Sequence, residues 1–238
     1  MKKIIIVGAS SGIGRELAHI YASQGNRVGI TGRRLNLLEE LQKEYPEQLV
    51  VESFDVMGEQ NIEHLNLLIQ KLGGMDLLIY NSGYGEIRES LDWEVERKTV
   101  DTNVNGFIEI MVFGFNYFSK QGSGHLVTIS SIGSIRGNSM APAYSASKSF
   151  QSNYMEGLHM RLKKMRSKVR VTDIQPGFVD TKMARGNKFF WMAPVHKAAV
   201  QIVDAISAGK WRAYVTRRWW LIAKLMDWIP DFIYHKIA

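Results

Sequence analysis

Short runs of apolar, mostly β-branched residues recur along this 238-residue chain, and amphipathic stretches separate them. The run Ile4-Ile5-Ile6-Val7 has no polar position, which is typical of a strand that is covered on both faces. From runs of this kind we predict seven strands, at residues 4–7, 27–31, 49–54, 76–80, 125–130, 169–174 and 213–216.

The stretches between these strands carry apolar residues at helical spacing. They predict helices at residues 14–23, 35–45, 62–72, 93–118, 144–165 and 195–207. Strands that alternate with helices pair in parallel through right-handed crossovers. We therefore expect an α/β fold, a doubly wound, Rossmann-like parallel sheet with helices on both faces. We expect one domain over residues 1–216, followed by an apolar and basic tail at 217–238.

The composition fits one folded domain and excludes several kinds of chemistry. Hydrophobic residues make up 45% of the chain, which is enough to form one core. The chain has no cysteine, so disulfides, thiolate catalysis and cysteine-bound zinc are excluded. The six histidines are scattered, without a two-histidine spacing on one helix, and we therefore expect no metal site.

The formal net charge of +7 suits nucleic acid, an anionic membrane or an anionic cofactor as a partner, or it serves solubility alone. We expect no nucleic-acid partner. The apolar run at the start stops at Gly8, which is too short for a secretory signal. No segment approaches the ~20 apolar residues of a membrane span, and we expect a cytoplasmic protein.

A glycine-rich segment, Gly8-Ala9-Ser10-Ser11-Gly12-Ile13-Gly14, joins the first predicted strand to the first predicted helix. Glycines let the backbone approach a pyrophosphate, and a helix N-terminus offers unpaired N–H groups and a positive dipole end. An ordinary glycine-rich turn is the alternative. The position of the segment between a strand and a helix nevertheless predicts a dinucleotide site.

The end of the second strand distinguishes between two dinucleotides. An NAD site commonly has a carboxylate there for the adenosine ribose hydroxyls, whereas this chain has Thr31-Gly32-Arg33-Arg34. A guanidinium binds a 2′-phosphate through paired hydrogen bonds, and a carboxylate would repel it. We therefore favour NADP(H) over NAD(H), with Arg33 and Arg34 as the candidate ligands; the family resemblance described below favours Arg33, and Arg34 could stack or assist. The alternative is that both are solvated charges at a helix start.

Another motif, Tyr144-Ser145-Ala146-Ser147-Lys148, begins a long predicted helix. Residues four apart share one face of a helix, so the phenol and the ammonium can lie close together. The ordinary pKa of tyrosine is about 10, and a neighbouring cation lowers it toward the range useful for proton transfer. Such a pair also occurs by chance, so it is weak support for catalysis when taken alone.

The spacing G-x-x-x-G-x-G and further motifs in the same order resemble the short-chain dehydrogenase/reductase family. These motifs are Asp55-Val56, Asn81-Ser82-Gly83, Tyr-x-x-x-Lys and Pro176-Gly177-Phe178-Val179-Asp180-Thr181. The second departs from the family's Asn-Ala-Gly, because this chain has a serine in the middle. The resemblance covers nearly the whole chain up to about Thr181.

This resemblance implies an oxidoreductase that transfers a hydride between a nicotinamide and a ketone or secondary alcohol. It implies Tyr144 as the acid/base residue and Ser131, thirteen residues before it, as the group that binds the substrate oxygen. Lys148 would bind the nicotinamide ribose and support Tyr144, and Asn103 would position a relay water, with Asn105 as a less favoured alternative. Relatives often form homodimers or homotetramers, and the resemblance implies one of these assemblies for this chain.

The resemblance also implies a cofactor-binding set. In relatives the Asp lies at the adenine, and the Pro-Gly turn and the Thr hold the nicotinamide end. The residues implied here are Gly8, Ser10, Ser11, Gly12, Ile13, Gly14, Arg33, Arg34, Asp55, Val56, Asn81, Ser82, Gly83, Tyr144, Lys148, Pro176, Gly177, Val179 and Thr181.

Two segments leave alternatives open. Large apolar residues at 189–192 suggest either a wall or mobile lid over an apolar substrate, or an anchor of the loop on the core. The tail predicts a short helix at 219–228, ended by Pro230, and suits membrane contact, pocket cover or subunit contact. Rival functions are a dinucleotide-sensing protein without turnover and a peripheral membrane scaffold.

Overall fold

A computed structural model describes residues 1–181 and 191–237, and within these residues seven strands form one sheet. They are β1 (Lys3–Val7), β2 (Arg27–Gly32), β3 (Leu49–Ser53), β4 (Leu77–Tyr80), β5 (Gly124–Ile129), β6 (Val169–Pro176) and β7 (Arg212–Val215). Their order is β3-β2-β1-β4-β5-β6-β7, and every neighbouring pair is parallel. The predicted doubly wound α/β fold is confirmed. The first and last residues of each strand lie within two residues of the predicted ones.

Helices connect the strands and cover both faces of the sheet. They are α1 (Gly12–Ser23), α2 (Leu35–Glu44), α3 (Asn61–Leu72), α4 (Trp93–Val100), α5 (Gly106–Gln121), α6 (Pro142–Lys164), α7 (Val195–Ser207), α8 (Trp219–Trp228) and α9 (Asp231–Ile237). Helices α1, α2 and α7 bury apolar residues against one face, and α3, α5 and α6 do so against the other.

Strand β1 contributes side chains to both halves of the core. Ile4 and Ile6 pack with α1, α2 and α7, whereas Ile5 and Val7 pack with α3, α5 and α6. All four are fully buried, as alternation of side chains across a covered strand requires. The apolar run at the start of the chain is therefore an interior strand of the sheet, between β2 and β4.

The helix predicted at 93–118 is interrupted, so this prediction is wrong at its middle. Helix α4 ends at Val100, a π-helical turn spans Asp101–Asn105, and α5 begins at Gly106. A Cβ atom at Gly106 would lie 2.4 Å from the Val56 carbonyl oxygen, so α5 starts in close contact with the segment after β3. Apolar periodicity does not reveal a π turn, which often lies at a functional site.

The tail packs on the domain through one side of α8. Trp219 and Ala223 are buried there with Ile132, the residue after Ser131. Helix α9 follows Pro230 and is a second element that the sequence did not predict; its Asp231 pairs with Arg136 at 2.6 Å. None of the helices in the described residues is long and apolar enough to cross a membrane.

Candidate active site

The candidate site lies where the winding of the chain reverses in the sheet. β1 is adjacent to both β2 and β4, and α1 and α5 cover opposite faces, so a crevice opens at the carboxyl ends of β1 and β4. The side chain of Asn81, directly after β4, donates to the carbonyl oxygen of Gly8, directly after β1, at 2.6 Å. This bond joins two of the segments that the sequence assigns to the cofactor.

The glycine loop (residues 8–14) needs glycine at both ends. Gly8 has a φ of +91°, and a Cβ atom there would lie 2.6 Å from the Ser82 backbone nitrogen. A Cβ atom at Gly14 would lie 2.1 Å from the Gly8 carbonyl oxygen. Helix α1 begins at Gly12, so the loop ends in N–H groups, including that of Ile13, that have no partner within the helix. This cradle fits a pyrophosphate.

The two arginines after β2 lie at the same end of the loop but have different partners. Arg34 donates from Nη2 to the hydroxyls of Ser10 and Ser11, each at 2.7 Å. Arg33 lies 3.6 Å from a carboxylate oxygen of Asp55, and both side chains are partly exposed. The sequence pattern preferred Arg33, but the structure brings Arg34 into direct contact with the glycine loop.

The segment after β6 returns to the glycine loop. The Thr181 methyl carbon lies 3.2 Å from the position that a Cβ atom would take at Gly12. Val179 is buried and pairs with Ala193 in an isolated parallel bridge. The side chain of Val56, by contrast, is buried in the core beside α3 and α5. Among the implied cofactor residues, Thr181 is therefore better placed than Val56 to offer its side chain to a ligand.

The Pro-Gly turn is pressed against the tail. Pro176 ends β6, and a Cβ atom at Gly177 would lie 2.0 Å from the Trp219 ring. The Trp219 ring also meets Phe178 and Trp191 edge to face, at centroid distances of 5.3 Å and 6.2 Å. Helix α8 thus packs directly on the turn that was expected to hold the nicotinamide end. Sequence reasoning missed this contact.

The first half of the predicted wall or lid at 189–192 lies outside the described residues, since residues 182–190 are not described. Of the four positions, Trp191 and Met192 are described. The Arg218 guanidinium lies 5.0 Å from the centre of the Trp191 ring and donates to the Trp191 carbonyl oxygen at 2.7 Å. Trp191 therefore lies beside the start of α8.

Tyr144 and Ser131 lie together at the carboxyl end of β5. Ser131 accepts a hydrogen bond from the Gly133 N–H at 3.0 Å, which orients its hydroxyl, and it hydrogen-bonds Tyr144. Burial raises the pKa of the Tyr144 phenol, and the bond with Ser131 opposes that rise. The direction differs from the expected lowering because desolvation prevails, so the phenol is protonated at neutral pH. A Cβ atom at Gly85 would lie 2.3 Å from the Tyr144 ring.

Lys148 is buried one turn along α6, with 3% of its surface exposed. Its Nζ donates to the Ile129 carbonyl oxygen at 3.0 Å and to Gln151 Oε1 at 2.9 Å. Burial lowers the pKa of Lys148 to about 8, and the nearby Asp173 carboxylate opposes this shift. The lysine can therefore change its charge near neutral pH.

Asn103 is fully buried in the π turn, and its side chain is held on both sides. Its Oδ1 accepts from the Tyr84 N–H at 2.9 Å, and its Nδ2 donates to Ser147 Oγ at 2.9 Å. A Cβ atom at Gly83 would lie 3.4 Å from Lys148 Nζ and 3.6 Å from Asn103 Oδ1. The turn after β4, the π turn and α6 therefore meet at Lys148.

The structure thus brings together the four predicted catalytic residues, Asn103, Ser131, Tyr144 and Lys148. It also places near them two residues that the sequence analysis did not predict. Gln151 binds both Lys148 and the backbone of Asn103. Asp173 is fully buried near Lys148 and accepts from Ser130 and Arg212 among others. Gln151 lies three residues after Lys148, so helical spacing could have placed it on the lysine's face.

A parallel sheet with a glycine loop at its switch point and a Tyr-x-x-x-Lys pair beside it defines a Rossmann-like protein with the site geometry of an oxidoreductase. The family model described as short chain dehydrogenase matches residues 2–188. The chain belongs to the short-chain dehydrogenase family and is an oxidoreductase. The family that the motifs resembled is therefore confirmed.

Similar proteins extend the family match beyond residue 188, to the whole length of this chain. An uncharacterized oxidoreductase of Myxococcus xanthus is 38% identical over 191 residues, which cover 78% of this chain and 75% of the relative. An uncharacterized oxidoreductase of Mycobacterium tuberculosis is 31% identical over 251 residues, covering 100% of this chain and 97% of the relative. The crystal structure of a short chain dehydrogenase from Burkholderia cenocepacia, in complex with NADP, has a TM-score of 0.84 at 22% identity, covering 100% and 97%.

Proposed function

We propose that this protein is an NADP(H)-dependent oxidoreductase that transfers a hydride between the nicotinamide and a ketone or secondary alcohol of apolar character. The observation that carries the proposal is that four side chains lie together at the crevice beside the glycine loop. They are those of Tyr144, Ser131, Lys148 and Asn103. At 22% identity the likeness to an NADP complex concerns the fold alone, so the cofactor preference depends on this chain's own residues.

The residues present fit a nicotinamide dinucleotide. The backbone cradle at Gly8 and Gly14 leaves no room for a Cβ atom, which suits close approach of a pyrophosphate. When bound, the dinucleotide supplies or accepts the hydride. Lys148 has a buried ammonium close to Gly83, where it can hold the ribose hydroxyls.

Tyr144 and Ser131 act on the substrate oxygen. Ser131 donates a hydrogen bond to the carbonyl oxygen and holds it beside the phenol. Tyr144 is protonated at neutral pH and gives its proton to the alkoxide as that charge develops. The Lys148 ammonium stabilises the phenolate left behind. A phenol with a raised pKa supports reduction as the favoured direction near neutral pH.

The preference for NADP(H) is supported by the end of β2. Position 32 is a glycine, so no carboxylate occupies the usual ribose position. Arg34 already donates to Ser10 and Ser11, and a 2′-phosphate at this place would accept from the same guanidinium. Arg33 is close enough to add a second positive charge, although Asp55 neutralises part of it.

The proposal is tested by following NADPH oxidation with a panel of aliphatic and aromatic ketones. We expect turnover with at least one apolar ketone and a higher kcat/KM for NADPH than for NADH. Tight NADPH binding with no turnover on any carbonyl of the panel would instead support the dinucleotide-sensing alternative. A preference for NADH would overturn the cofactor assignment.

We also propose that the tail (residues 217–238) contacts an anionic membrane surface. The side of α8 opposite the buried residues carries Trp220, Leu221 and Trp228, which are 50%, 61% and 83% exposed. Arg217 and Lys224 are exposed beside them. Aromatic and aliphatic residues among basic residues suit the headgroup boundary of a membrane.

Vesicle co-sedimentation tests this contact. We expect binding to vesicles that contain phosphatidylglycerol and little binding to phosphatidylcholine alone. Replacing Trp220, Leu221 and Trp228 with serine should lower vesicle affinity at least about tenfold and leave turnover of a soluble ketone unchanged. Trp93→Ser, an exposed tryptophan of α4, is the matched control. Absence of vesicle binding, or a dimer in light scattering that the serine variant dissociates, would contradict the proposal.

A further inference from the structure

A buried glutamine connects two residues of the candidate site. Gln151 is fully buried on α6, three residues after Lys148. Its Oε1 accepts from Lys148 Nζ at 2.9 Å, and its Nε2 donates to the backbone carbonyl oxygen of Asn103 at 2.8 Å. One side chain therefore joins the lysine of α6 to the π turn that carries the asparagine.

The two neighbours require a side chain that accepts one hydrogen bond and donates another. An ammonium only donates, so Lys148 needs an oxygen, whereas the Asn103 carbonyl only accepts and needs an N–H group. An amide offers both at once. A carboxylate would face the carbonyl with a second acceptor, and an apolar side chain would remove both of these hydrogen bonds. Burying an amide is unfavourable without such bonds, so packing alone does not account for Gln151.

We propose that Gln151 is a positioning residue: it holds the Lys148 ammonium beside the Asn81–Gly83 turn and couples it to the π turn. In the described part of the chain, Ile129 and Gln151 use two of the three N–H groups of the ammonium. The third N–H group can donate to a hydroxyl of a ligand. This inference rests on the proposed function, because it assigns Lys148 a role in that reaction.

Gln151 also bears on the charge of Lys148. Burial lowers the pKa of the lysine to about 8, and an amide oxygen that accepts a hydrogen bond from the ammonium favours its charged form. Among the described residues, the other titratable groups that face Lys148 are Tyr144 on its own helix and Asp173 on β6. Arg212 of β7 lies behind Asp173 and offsets part of its charge. Removing the amide oxygen therefore lowers the pKa of the lysine further, and placing a carboxylate there raises it.

The test compares the pH dependence of kcat for Gln151→Leu and Gln151→Glu under saturating NADPH and ketone. Gln151→Leu should lower kcat about tenfold at pH 8 and move the alkaline limb of the profile down by about one pH unit. Gln151→Glu should move that limb up. The KM for the ketone should stay within about threefold of that of the wild type. A structural role alone does not move the limb in opposite directions.

Controls separate the possible failures. Gln42 lies on α2 and donates to the Leu49 carbonyl oxygen at 2.9 Å, so Gln42→Leu removes a comparable bond away from the site and should leave the profile unchanged. If Gln151→Leu does not fold, Gln151→Met and Gln151→Glu carry the test. An active wild type with unshifted limbs in the folded variants overturns the inference alone, whereas a wild type without any NADPH-dependent turnover overturns the proposed function.

Discussion

The Lys148 ammonium nitrogen lies 5.9 Å from the centre of the Tyr144 ring, one helical turn further along α6. Lys148 is buried and Tyr144 is partly buried, and the pKa values of the two groups shift in opposite directions. Burial raises the pKa of the phenol and lowers that of the lysine. At neutral pH the pair therefore consists of a protonated donor beside a cation that can stabilise its conjugate base.

The buried charge of Lys148 should make stability depend on pH. Because the pKa of Lys148 is about 8 in the folded chain, against an ordinary value of 10.5, the folded chain binds this proton more weakly than the unfolded chain. The charged lysine therefore disfavours folding at pH 7, and this penalty disappears as the pH rises through about 8 to 10.5. The stability advantage of Lys148→Met over the wild type should shrink by about 2 to 3 kcal/mol over that interval.

Denaturant unfolding at a series of pH values measures this difference. Lys164→Met, an exposed lysine of the same helix, serves as the control and should give a difference that is flat with pH. A flat difference for Lys148→Met as well would show that the lysine is not desolvated in the folded chain.

The contact of Arg34 with the glycine loop should determine cofactor choice. Arg34→Ala should lower kcat/KM for NADPH by about tenfold to a hundredfold, since a charge-assisted bond to phosphate is lost, and change the value for NADH less than about threefold. Steady-state kinetics with both cofactors measures this. Arg97→Ala removes an exposed arginine of α4 and should change kcat/KM for neither NADPH nor NADH. An equal loss for both cofactors would contradict a 2′-phosphate at this place.

The glycine loop should not accept a methyl group. Gly14→Ala puts a Cβ atom where only 2.1 Å separates it from the Gly8 carbonyl oxygen, so we expect loss of NADPH binding and a lower midpoint of thermal unfolding. Gly157→Ala is the matched control, because its Cβ atom would meet nothing within 4 Å. That change lies inside α6 and should stabilise the protein by about 0.5–1 kcal/mol. Normal NADPH affinity in Gly14→Ala would rule out this cradle.

The strands were predictable because each one is covered on both faces. A short apolar run such as Ile4–Val7, without a polar position, is typical of a buried strand. The alternation of such strands with helical segments then indicates a parallel sheet. The positions of Tyr144 and Lys148 on one helix face followed from spacing alone. These features depend on local patterns, which the sequence carries directly.

The remaining features depend on contacts between segments distant in the chain. The π turn comes directly before the place where Gly106 approaches Val56, and one wider turn is too short to be seen in the apolar pattern of the sequence. The bond from Gln151 to Asn103 joins residues 48 positions apart. The raised pKa of Tyr144 results from burial by several elements together, so the expected lowering by Lys148 was incomplete.

The most direct test of the central claim is the turnover of Tyr144→Phe with NADPH and a ketone that the wild type reduces. The variant keeps the ring and removes the proton donor, so kcat should fall by about a thousandfold, while the Kd for NADPH stays within about threefold of the wild-type value. Turnover within about tenfold of the wild-type rate would contradict the role of Tyr144 as the acid.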